Sequence, residues 1–106
     1  MKEITFLGDS LKRLSEFPED ARAAAGRQLQ RVQFGGDPLD WKPMTSIGPG
    51  VREIRVREES GAYRVIYIAS IGDRIYVLHA FKKTTRKTAR RDLDVAAMRL
   101  KSIGQE

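Results

Sequence analysis

Hydrophobic positions along this chain switch from a helical period to an alternating one and back again. Ile4-Thr5-Phe6-Leu7 is a short apolar stretch that reads as a strand or extended entry. Asp9 or Ser10 can cap a helix after it, because a short side-chain oxygen accepts one of the free first-turn N–H groups. Leu11, Leu14 and Phe17 give that helix one apolar face. Pro18 interrupts it and suits the first turn of a second helix, with Glu19 and Asp20 where the macrodipole favours negative charge. Ala21, Ala25, Leu29 and Val32 form a stripe at helical spacing, and Gly35-Gly36 ends it. The first third is therefore expected to be a helical hairpin.

Residues 37–50, DPLDWKPMTSIGPG, hold three prolines and two glycines and read as a connecting loop. Within it, Trp41 is expected to plug the core edge, the alternative being a base-stacking residue. VREIRVRE (51–58) then alternates, with Ile54 and Val56 on one side and Glu53, Arg55 and Arg57 on the other. AYRVIYIAS (62–70) and RIYVLHAFKK (74–83) follow after turn signals at Glu59-Ser60-Gly61 and Gly72-Asp73. Loops this short imply antiparallel hairpins, hence a three-stranded meander. From Thr88 onward, Leu93, Ala96, Ala97, Leu100 and Ile103 share one helical face. The order defines an α+β domain with an N-terminal helical hairpin, a twisted antiparallel sheet and a C-terminal helix.

With 106 residues, 41% of them hydrophobic, the chain fits a single domain spanning residues 1–106. No apolar run approaches the roughly 20 residues of a membrane span, and the N-terminus lacks the pattern of a secretory signal. With no cysteine there is neither a disulfide framework nor a thiol nucleophile. A cytoplasmic protein is the expectation.

Charge sharpens the picture. Residues 1–50 balance seven Lys/Arg against seven Asp/Glu, whereas residues 51–106 carry thirteen against seven, so the whole net charge of +6 lies in the second half. That asymmetry points to a polyanionic partner, nucleic acid or acidic protein, over a merely solubilising surface. Period two places Glu53, Arg55 and Arg57 together, and a simple hairpin brings Arg64 beside them. Such a face either pairs Glu53 with Arg55 or Arg64, or receives an anion that the planar guanidinium groups can grip. Lys82, Lys83, Arg86, Lys87, Arg90 and Arg91 form a second cluster, expected to crowd the start of the last helix, where cations are disfavoured unless an anion binds. His79, the one histidine, shares a side with Phe81 and Lys83. No metal-ligand spacing, nucleophile triad or glycine-rich phosphate loop is present, so no metal and no cofactor are expected. The residues remain compatible with metal-free RNA cleavage, in which the 2′-hydroxyl of the substrate is the nucleophile.

The succession FLGDSLKRLSEFPEDAR, WKPM, VREIRV, AYRVIYIAS and YVLHAFKKTTRKT, with a closing amphipathic helix, resembles the RelE/ParE toxin superfamily, closest to its phage-derived, HigB-like branch. The resemblance covers about residues 4 to 103. It implies a toxin of a type II toxin–antitoxin module, either a ribosome-dependent, metal-independent mRNA endoribonuclease that inhibits translation or, as in the ParE branch, a non-catalytic inhibitor of DNA gyrase. A non-toxic, basic nucleic-acid-binding phage-derived protein is the third reading. By the same resemblance, Arg64 matches the superfamily's transition-state arginine and Arg55 a basic position of the RNA-cleaving members. Glu53 would be general base or partner of Arg55, and Lys82 and Lys83 would hold the scissile phosphate. Residues 84–106 lack the tyrosine or histidine that many ribonuclease members carry there, which shifts the general-acid role to Lys82, Lys83 or His79. Arg57, Arg86, Lys87, Arg90 and Arg91 would bind nucleic acid. The implied partners are the ribosome, its mRNA and a cognate HigA-like antitoxin with a helix-turn-helix domain.

Overall fold

In the computed structural model, which describes residues 1–104, the sheet separates two layers of helix. The last two residues of the expected 1–106 domain lie outside the described ones. The elements are β1 (Glu3–Phe6), α1 (Ser10–Ser15), α2 (Glu19–Gln33), β2 (Trp41–Pro43), β3 (Val51–Glu58), β4 (Gly61–Ile68), β5 (Arg74–Lys83) and α3 (Arg90–Ser102). Strand order is β1-β5-β4-β3-β2. The β3-β4-β5 meander is antiparallel as its short turns imply. Two pairings enlarge it. β1 runs parallel to β5, Ile4 opposite Ile75, and β2 joins the other edge with Trp41 opposite Ile54.

β2 lies inside the segment expected to be loop. Its proline is tolerated because an edge strand needs no N–H on its outer side. Trp41 is half-buried, and the Arg52 guanidinium lies 3.9 Å from the centre of its ring. Arg52 thus covers one face of the tryptophan as a cation–π partner.

The helical hairpin covers one face of the sheet. Ala21, Ala25, Leu29 and Val32 are buried as the stripe demands, and the small Ala24 joins them. They pack with Leu14, Phe17, Ile54, Val56, Tyr63, Val65 and Tyr67. Leu11, expected on the same apolar face, is instead exposed, because α1 is too short to bury more than one stripe position beside Ser10. Asp9 occupies the N-cap position without capping; its carboxylate instead meets Arg99 of α3 at 2.6 Å, and Ser10 donates to the carbonyl of Val77. Gly8 permits this approach, since its φ is +55° and a Cβ there would lie 2.5 Å from the Arg99 guanidinium.

On the opposite face, α3 packs Ala96, with Leu93, Leu100 and Ile103, over Val51, Ile66, Ile68, Leu78 and Phe81. The β4–β5 register shifts between Ile66 and Tyr67, which pair with His79 and Val77. This bulge leaves Leu78 unpaired and sets both Leu78 and His79 toward α3.

Ile54 is fully buried under α2, so Ile54→Ala should lower unfolding free energy by about 2–5 kcal/mol. Leu11→Ala should change it by less than about 0.5 kcal/mol. Urea unfolding of both variants checks the assignment of the α1 face.

Candidate functional site

Alternation along β3 sends Ile54 and Val56 under α2 and turns Glu53, Arg55 and Arg57 the other way. The β3–β4 register puts Arg64 directly opposite Arg55. The hairpin thus assembles what the sequence suggested, but deeper than expected: Glu53 is 1% exposed and Arg64 3%.

Arg64 Nε lies 3.4 Å from Glu53 Oε1, and Arg55 Nε lies 4.0 Å from the same oxygen. The other oxygen, Oε2, accepts a 2.7 Å hydrogen bond from the Thr88 hydroxyl. Arg64 Nη1 donates to the carbonyl of Tyr63 at 3.0 Å. Both Nε–H groups remain buried without a hydrogen bond, attracted to the carboxylate but not bonded to it.

Burial is the largest influence on Arg64 and pushes its pKa down; Glu53 opposes this, while Arg55 and Arg57 add to it. Lys83 is also pushed down, first by desolvation and then by Arg64, with Glu53 opposing and Arg55 and Lys42 reinforcing. These cations therefore act on one another around a single carboxylate. A cluster of that sign is unfavourable by itself and favourable beneath an anion.

Accessibility divides the cluster. Glu53 and Arg64 form a floor, held down by Thr88 from the segment leading into α3. Arg55, whose side chain is 29% exposed, the half-buried Lys83 and the exposed Arg57 and Lys42 form the rim. Lys42 and Thr88 escaped the sequence reading. Lys42 stands opposite Glu53 only because β2 joins the sheet, and Thr88 precedes α3, which begins at Arg90 instead of at Thr88.

Other candidates lie elsewhere. Lys82 points to the other side, its ammonium 6.0 Å from the Tyr63 ring centre, in a crevice shared with Arg13 and Phe17. Arg86 and Lys87 are exposed in the β5–α3 connection. Arg90 pairs with Asp94 at 3.1 Å, and Arg91 is exposed. The expected crowding of six cations at one helix start is therefore relieved: only Arg90 and Arg91 lie in the first turn, together with Asp92.

His79 lies on the same sheet face as the cluster, opposite Ile66, which in turn stands opposite Glu53, but its ring is engaged by α3. Its Nε2 meets Asp92 Oδ1 at 2.8 Å, its ring stacks on Phe81, and Nδ1 is buried without a partner. Burial pushes its pKa below the ordinary 6.5, against the opposing pull of Asp92, with Arg13 and Arg99 lowering it further. The contact between its Nε2 and Asp92 ties β5 to α3. Among the described residues, no group of three or more His, Cys, Asp or Glu side chains is placed to hold a metal ion.

A small α+β domain with helices on both sheet faces and a cationic rim around one buried carboxylate is the frame to which the comparisons attach. The profile of the phage-derived protein Gp49-like family (DUF891) matches residues 12–101, and the chain belongs to that family. This is a RelE-type, toxin-like family associated with toxin–antitoxin systems. No curated protein matches the sequence. No helix is long and apolar enough to cross a membrane.

Arg64→Ala should cost about 3–5 kcal/mol, because it removes the buried cation 3.4 Å from the Glu53 carboxylate and leaves a cavity beside it, with only Arg55 at 4.0 Å and Thr88 as partners. Glu53→Gln in the same chain should restore part of that loss, as chemical denaturation of the single and double variants would read out. For His79 the folded pKa lies below the unfolded value of 6.5, so under mildly acidic conditions the unfolded chain binds the additional proton. Stability should therefore rise with pH up to about 6.5 and fall on acidification below it. His79→Gln should flatten that part of the pH–Tm curve.

Proposed function

We propose that this chain is the toxin of a type II toxin–antitoxin module, of the HigB-like branch, and acts as a ribosome-dependent, metal-independent mRNA endoribonuclease. The observation carrying this reading is the excess of cations around Glu53: Arg55, Arg64 and Lys83 surround one carboxylate, with Arg57 and Lys42 contributing to the same field. An RNA phosphate over the rim would supply the missing negative charge.

In the proposed reaction the 2′-hydroxyl loses its proton as its oxygen attacks the adjacent phosphorus. The bond to the 5′-oxygen breaks, and that oxygen receives a proton. A 2′,3′-cyclic phosphate and a free 5′-hydroxyl result. Arg55, part-exposed and 4.0 Å from the carboxylate, and Lys83, whose ammonium feels both Arg64 and Glu53, are the groups that would touch the phosphate. Lys83, with its lowered pKa, is also the group suited to move a proton there. Glu53 has one oxygen on Thr88 and the other facing two arginines, which makes it a positioning residue. Arg64 acts from beneath, through Glu53. His79, paired with Asp92, takes no part.

In the module, an antitoxin with a helix-turn-helix domain would neutralise the chain by laying acidic residues against the rim. The cytoplasm, where ribosomes and mRNA meet, is the proposed location.

Arg64→Ala is a poor test, because losing the buried arginine threatens the fold. Arg55→Gln and Lys83→Met spare the floor. Short induction in a bacterium, followed by sequencing of new RNA 5′ ends, should show cuts in translated mRNA for the wild type. Each variant should lose about 100-fold of that cleavage. Growth arrest by a folded Arg55→Gln/Lys83→Met double variant at wild-type strength would overturn the proposal.

A further inference from the structure

Glu53 Oε2 takes its hydrogen bond from Thr88, a residue 35 positions along the chain and outside the sheet. Thr88 is anchored independently of β3. The next residue, Ala89, occupies the N-cap position of α3, and its carbonyl accepts the amides of Asp92 and Leu93. Asp92 in turn meets His79 Nε2, and Leu93 packs against the apolar cluster under α3. The hydroxyl is therefore held at a fixed place above the sheet.

That place limits how closely the carboxylate can approach the arginines beside it. Oε1 lies 3.4 Å from Arg64 Nε and 4.0 Å from Arg55 Nε, and both Nε–H groups are buried without a hydrogen bond. A carboxylate so near two guanidinium groups would ordinarily close on one of them in a charge-assisted bond of about 2.8 Å. Leaving two buried donors unmade is costly, so something must oppose closure. The opposing contact is the 2.7 Å bond from Thr88 to the other oxygen. Both oxygens belong to one planar group, and a bond at Oε2 fixes where Oε1 points. The consequence falls on Arg55, the partly exposed member of the pair. Closure would spend its fork and its charge on Glu53. Held apart, it keeps both for an anion outside.

We propose that Thr88 is a positioning residue, whose hydroxyl holds the Glu53 carboxylate short of Arg55 and so leaves Arg55 available to an RNA phosphate. This role rests on the reading of Arg55 as a phosphate contact, and not on the cleavage step itself. Thr88 acts through Glu53.

The test is nitrogen–proton NMR of the arginine Nε–H groups in the whole chain, together with binding of a short single-stranded RNA at constant ionic strength. In the wild type the Arg55 and Arg64 signals should lie where unbonded guanidinium groups do. In Thr88→Val the Arg55 signal should move downfield as Glu53 closes on it, and RNA should bind about tenfold more weakly. Thr88→Ser keeps the hydroxyl and should restore both. Thr85→Val removes a hydroxyl that donates to the Lys87 carbonyl in the same connection, and should leave both as in the wild type. The role is overturned if the wild-type Arg55 signal is already that of a carboxylate-bonded group, a result that needs no variant to fold. It is overturned equally if the wild type binds no RNA, if a folded Thr88→Val keeps the wild-type signal or affinity, or if Thr85→Val acts as strongly. The expected signals and affinities without any cut in translated mRNA would contradict the ribonuclease reading and still support the role of Thr88.

Discussion

A carboxylate and a guanidinium taken out of water in the middle of a sheet face set the terms for the rest of this molecule. Glu53 and Arg64 are each almost wholly buried, and the desolvation of two such charges is recovered only if neighbours complete their shells. Completion is partial. Thr88 satisfies one Glu53 oxygen and the Tyr63 carbonyl takes one Arg64 nitrogen, while two Nε–H groups receive attraction without a bond. The segment before α3 must close over the pair, which fixes where the helix can start. The remaining positive field emerges at the rim through Arg55 and Lys83.

The two sheet faces divide the work. The α2 side is apolar, with alanines that let the helix lie close and Ile54, Val65, Ile75 and Val77 beneath it. The α3 side is apolar at one end and polar at the other. Between them the β5 bulge turns Leu78 and His79 to the same side, one into the apolar cluster and one onto Asp92. Arg99, itself paired with Asp9, donates to the carbonyl of Leu78 and Arg13 to that of Ala80, both β5 carbonyls beyond the reach of β1. These bonds blunt an otherwise open strand edge with charged side chains.

Local pattern made much of this legible. Alternation in VREIRVRE placed Glu53, Arg55 and Arg57 on one side, and short turns placed Arg64 opposite Arg55, because both depend on neighbours in sequence. The alanine stripe of α2 was legible for the same reason. Non-local pairing was not: β1 meets β5 across some 70 residues, and nothing in Trp41-Lys42-Pro43 announces an edge strand. Lys42 and Thr88 were hidden by those omissions. His79 was placed on the correct side, but its partner Asp92 sits on another element, so its structural role could not be read from spacing. Lys82 and Lys83 are adjacent, and period two necessarily parts them.

The chemistry of the cut is the most direct measure of the central claim, that the rim around Glu53 promotes attack by an RNA 2′-hydroxyl. A defined mRNA translated in a reconstituted system with the purified chain, without and with an antitoxin, would yield fragments whose ends can be assigned. The expected products carry a 2′,3′-cyclic phosphate and a 5′-hydroxyl, and require the ribosome. Intact mRNA under active translation, or fragments ending in a 3′-hydroxyl and a 5′-phosphate, would contradict it.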